Sequence, residues 1–145
     1  MSRIGQLGLL LPLVLGGGAC QSPAGGGAAP VTVVGQWGYA ATQTSPVGAT
    51  ITGTLTISQQ SGRDFQGSLD ATQVDGQGNV THLSAVVSGQ VLDASAVEFA
   101  AFIGLTGRQH LGTIAGDSVH GAWVEQTSGA VTSSGSFAAA LPVGP

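Results

Sequence analysis

The 145-residue sequence contains no lysine, and its only cations apart from histidine are Arg3, Arg63 and Arg108. So few cations leave no patch able to neutralise phosphates. That excludes nucleic-acid binding and attraction to anionic lipid surfaces. Charged residues of both signs make up 7% of the chain, against about a quarter in an average globular protein. The longest apolar run, residues 9–15, is too short for a helix across a bilayer. Cysteine is almost missing as well: Cys20 stands alone, so no internal disulfide framework exists. Helix signals are absent from Val31 onward, where no 3.6-residue apolar period is sustained. Glycine is abundant at 25 residues, but Val, Ile, Leu and aromatic residues recur between the glycines, as a folded chain requires.

The N-terminus has the three parts of an export signal. Met1–Arg3 carries a positive charge, Ile4–Leu15 is apolar, and Gly16–Ala19 is small. Residues 1–19 are therefore read as a signal peptide. Gly17-Gly18-Ala19-Cys20 resembles the lipobox of bacterial lipoproteins, with Gly17 where that family usually carries Leu or a similar apolar residue. The resemblance implies cleavage before Cys20, a diacylglyceryl group on its thiol, and acylation, as with palmitate, of the new N-terminus. Several acyl chains hold a protein firmly, at about 0.8 kcal/mol per buried CH₂. The membrane is then a partner through the lipid anchor. Gln21 in place of an Asp implies the outer membrane of a diderm envelope, on its periplasmic or surface face. The alternative is simple secretion, cut after Ala19 or near Ala28. Residues 20–30 form the lipidated cysteine and a Gly/Ala/Pro tether, whose ten residues from Gln21 have an r.m.s. span of about 16–19 Å.

Residues 31–145 form the domain. Period-2 alternation predicts strands near 32–43, 49–60, 64–74, 80–92, 96–105, 109–115, 118–127 and 131–141. Turn chemistry separates them, as at Ser61-Gly62, Asp75-Gly76-Gln77-Gly78-Asn79 and Ser128-Gly129. Short loops between consecutive strands imply antiparallel neighbours. An apolar-x-Gly-x-apolar pattern recurs at Ile51–Leu55, Phe65–Leu69, Val87–Val91 and Val119–Trp123. The glycine shares parity with the apolar residues and with six of the seven aromatics; Phe102 is the exception. Inward glycines let strands bend sharply. The expected fold is thus all-β: a small antiparallel up-and-down β-barrel of about eight strands, with a β-sandwich as the alternative. Thr, Ser and Gln on the outward face argue against a membrane-spanning barrel. Gly35-Gln36-Trp37 resembles the Gly-x-Trp signature of lipocalin- and avidin-type barrels, and Ile51-Thr52-Gly53-Thr54-Leu55 is similar to an avidin-type strand. The lipocalin arginine on the last strand is missing. The resemblance implies the fold and brings no ligand with it.

Chemistry is thin. No Gly-x-Ser-x-Gly elbow leads from a strand into a helix. His82 and His120 have outward parity, and His110 has inward parity close to a turn. These are read as surface and strand-end histidines, and neither they nor the acids form a closed ligand set. No catalytic residue, metal site or cofactor is assigned. Asn79-Val80-Thr81 matches a glycosylation sequon, which the bacterial lipobox sets aside. Trp37, Tyr39 and Trp123 are the residues that could line a small-ligand cavity, since a barrel of this size holds either its own side chains or one small ligand. The expected function is a lipid-anchored, non-catalytic envelope protein that binds a small hydrophobic ligand in the barrel. The alternative is a structural accessory docking on a larger envelope protein assembly. A solvent-connected cavity at the three aromatics favours the first; a filled barrel with an apolar patch around Phe102 favours the second.

Overall fold

The structure is a computed structural model and describes residues 29–142. The expected signal peptide, Cys20 and the expected tether up to residue 28 lie outside the described residues. No helix among the described residues is long and apolar enough to cross a membrane.

Eight strands follow one another: β1 (Gly35–Ser45), β2 (Val47–Ser61), β3 (Asp64–Val74), β4 (Val80–Val91), β5 (Ala96–Ile103), β6 (Thr106–Ala115), β7 (Ser118–Thr127) and β8 (Ala130–Ala140). Each pairs antiparallel with the next, and β8 returns to pair with β1, closing an up-and-down barrel. The β1–β8 ladder is what rules out the sandwich, which would leave both strands as edges. Closure gives every strand two partners and removes the exposed edges that invite aggregation.

The alternation expected from the sequence becomes an inside and an outside. Trp37, Tyr39, Phe65, Phe99, Trp123 and Phe137 are all buried, and Phe102 is exposed. Glycines make the closure possible by letting backbones meet. A Cβ at Gly67 would lie 1.9 Å from the Thr56 carbonyl oxygen, and one at Gly121 would lie 2.0 Å from that of Leu111. Neither position tolerates a side chain without moving a neighbouring strand.

The loops β1–β2, β3–β4, β5–β6 and β7–β8 lie at one end, called here the mouth. The chain enters at the other end, the base. β1 begins at Gly35, three residues later than the alternation suggests, because Val31–Val33 leaves the sheet and folds over the base. Gln60 ties that segment down: its Oε1 accepts from Val33 N–H at 2.8 Å and its Nε2 donates to the Val31 carbonyl at 2.9 Å. The Trp37 indole N–H donates to the Val33 carbonyl at 2.9 Å. β6 begins at Thr106, not 109, since Gly107 and Arg108 pair with Phe102 and Ala101 in a tight hairpin.

Candidate functional site

The interior is layered from base to mouth. The base is apolar, and rings and branched side chains fill it. The apolar cavity between Trp37, Leu55, Phe65, Phe99 and Phe137 measures about 20 Å³, close to the smallest that holds one water.

Above it His110, only 2% exposed, forms the waist. Its ring stacks on Phe99 with centroids 4.2 Å apart and 7° between planes, and it meets Phe137 edge-on at 5.0 Å. Nδ1 lies 3.2 Å from the Arg108 carbonyl, and Nε2 lies 2.9 Å from the Tyr39 hydroxyl. A carbonyl only accepts, so the network assigns the proton to Nδ1, and Nε2 accepts from Tyr39. Burial explains the titration of both groups. It pushes His110 down from 6.5 to about 4, with the Arg108 charge acting in the same direction. It raises the Tyr39 hydroxyl far above its ordinary value, opposed by the charge of Arg108. Both therefore stay neutral at physiological pH.

The mouth layer is polar. Arg108 is 5% exposed. Its Nε donates to Glu125 Oε2 at 2.5 Å, and its Nη2 donates to Gln73 Oε1 at 2.9 Å. The guanidinium carbon sits 4.9 Å from the Trp123 ring centroid, a cation–π arrangement. Glu125 also accepts from the Ser133 hydroxyl, at 3.2 Å. A register shift between β7 and β8 follows Glu125 directly and re-aims the end of that strand. The indole N–H of Trp123 is the one buried side-chain polar group among the described residues that has no hydrogen-bond partner.

The three aromatics expected to share a cavity do not. Trp37 faces the base, Tyr39 belongs to the waist, and Trp123 lies under Arg108. Consecutive inward positions on one strand are separated by about 6.6 Å, enough to fall in different layers. His110 is also a correction, since it is a core residue and not a strand-end surface group; His82 and His120 are exposed as their parity indicates. Among the described residues, no three His, Cys, Asp or Glu side chains gather as a metal site would need. Arg108, Gln73 and Ser133 were not singled out by motif. Parity could have found them: each shares the inward face of its strand with buried apolar residues, where a charged or amide group stands out.

The outside is divided too. β1–β3 presents Thr50, Thr52, Thr54, Gln66, Ser68 and Asp70. On β4 and β5, Val86 and Phe102 are direct cross-strand partners and are 68% and 49% exposed. Leu105, at the adjoining loop tip, is fully exposed. A shallow groove continues from there across β4–β7, past Ala100, Leu111, Ala122 and Val124.

No family model and no curated protein matches the chain. Among solved structures, one described as EF1p2_mFAP2b bound to DFHBI is similar, with a TM-score of 0.60 and 12% identity. The match covers 74% of this chain and 91% of that one. At that identity the likeness shows a shared barrel fold.

Proposed function

We propose that the protein is a lipid-anchored, non-catalytic binding protein of the bacterial envelope that docks on an envelope assembly through the outer face of β4–β6. The observation that carries this reading is the pairing of a filled barrel with an exposed apolar strip, Val86–Phe102–Leu105. A monomer gains nothing from keeping such a strip wet, and contiguous exposed apolar surface marks interaction sites. The partner presents an apolar, uncharged surface, because this face offers no cation and its Glu98 is occupied by Gln90. The Cys20 anchor holds the barrel at the membrane. A photo-crosslinking residue at Phe102 in intact cells is expected to capture one defined envelope protein, while the same residue at Thr54 captures none. Equal capture at both positions, or none at either, refutes the docking face. Labelled palmitate is expected to enter the wild-type chain and not Cys20→Ser; label that persists in the variant refutes the anchor.

A second reading, small-ligand binding, is favoured by the mouth. There the wall carries small residues, Ala41, Ala49, Ala71 and Ala101, and the space is filled by the long side chains of Arg108, Gln73 and Glu125. Such side chains can swing aside, unlike the packed rings of the base. That the structural neighbour is described with DFHBI bound supports a barrel of this shape as a ligand holder.

A further inference from the structure

The guanidinium of Arg108 is buried yet engaged on one side only. Glu125 takes Nε, and Gln73 takes a single Nη2 hydrogen. No other hydrogen bond reaches the fork among the described residues, so Nη1 has no protein partner there. A guanidinium pairs bidentately with a carboxylate that reaches two of its nitrogens. Trp123 covers one side of the fork, with the guanidinium carbon 4.9 Å from its ring centroid. Glu125 meets the fork with one oxygen while its other oxygen is held by Ser133. It neutralises Arg108 without satisfying it. It is also the most solvent-accessible member of the ion pair, 19% exposed at its side chain, and lies where the β7–β8 register breaks.

We propose that the mouth binds a small carboxylic acid, whose carboxylate pairs with the guanidinium fork of Arg108 in place of Glu125, the built-in counter-ion. The inference rests on the small-ligand reading and gives it a ligand class. Exchange of one carboxylate for another keeps the layer neutral, which a buried site requires. A doubly charged phosphate would leave net negative charge, since His110 is neutral and no second cation lines the mouth. Below the mouth, the Tyr39–His110–Phe99 layer blocks deeper penetration. The ligand is therefore short, with its apolar part left among the alanines and the rim residues.

Benzoate and its uncharged isostere benzamide distinguish the outcomes. Each is titrated into the full chain and followed by calorimetry. Benzoate is expected to bind the wild type, and to bind Glu125→Gln at least roughly ten-fold tighter, because the competing charge is gone while its hydrogen bonds persist. Arg108→Lys, which keeps the charge and loses the fork, is expected to bind roughly ten-fold more weakly; near-UV circular dichroism of each variant shows whether the barrel is intact. If benzamide binds as well as benzoate, or Arg108→Lys changes nothing, the carboxylate assignment falls and the small-ligand reading stands. If neither compound binds the wild type or Glu125→Gln, both fall.

Discussion

Acid should weaken this barrel in a window set by one histidine. Folding takes His110 from water, where it titrates near 6.5, into a site where it titrates near 4. The native state thus holds this group neutral while the unfolded chain binds a proton. Between those two values the unfolded state carries more protons, so stability rises with pH and falls as acid is added. The gap corresponds to roughly 3 kcal/mol at about 1.4 kcal/mol per pH unit. The loss begins near pH 6.5 and is nearly complete by about pH 4. It is a large share of a domain stability of about 5–15 kcal/mol. Asp75 and Asp93 complicate a direct reading. Hydrogen bonds from Asn79 and Ser95 hold their carboxyls below the ordinary value, so what they contribute is also lost in stronger acid. The double variant Tyr39→Phe/His110→Phe separates the two effects. It replaces both members of the hydrogen-bonded pair with rings of similar size, a change that is close to neutral when both partners go together. Urea denaturation at steps from about pH 7 to 4, followed by Trp37 and Trp123 fluorescence, gives both stability curves. The wild type is expected to lose roughly 3 kcal/mol more than the double variant across the window. Curves that run parallel within about 1 kcal/mol would refute a desolvated, neutral His110.

Three other substitutions probe the remaining layers. Gly67→Ala should cost about 1–3 kcal/mol or more in urea denaturation, because its Cβ would overlap the Thr56 carbonyl; Gly38→Ala, where the nearest atom is 3.7 Å away, should cost under about 1 kcal/mol, and equal costs would contradict the close-approach account. Arg108→Met should cost about 3–5 kcal/mol by leaving Glu125 without its cation, and Arg108→Met/Glu125→Met should recover most of that loss in thermal unfolding; a double variant no better than the single would show that the ion pair is not the unit. Phe102→Ser should leave stability within about 0.5 kcal/mol while removing the crosslink made by a photo-crosslinking residue placed at Val86, its exposed cross-strand partner, and a large destabilisation would mean that the strip is packed rather than presented.

Much of the architecture was legible because a strand's period is two and its faces differ in chemistry. Six inward aromatics, one outward Phe102 and glycines at inward positions follow from parity alone, and short turns leave little choice but antiparallel neighbours. Parity does not report height along the barrel or which strands face each other across it. Arg108 and Glu125 are cross-strand neighbours on β6 and β7, a pairing that follows once that hairpin's register is known. Gln73 reaches the same guanidinium from β3, and only closure and strand tilt bring it there. Tyr39 and His110 meet from β1 and β6 for the same reason. What the site depends on is therefore a gradient along the axis: rigid rings at the base, one neutral imidazole at the waist, and long flexible polar chains on an alanine wall at the mouth. A gradient of that kind concentrates the interior's capacity to rearrange at one end. Ligand exchange at Arg108 can then proceed without disturbing the packing that holds the barrel closed.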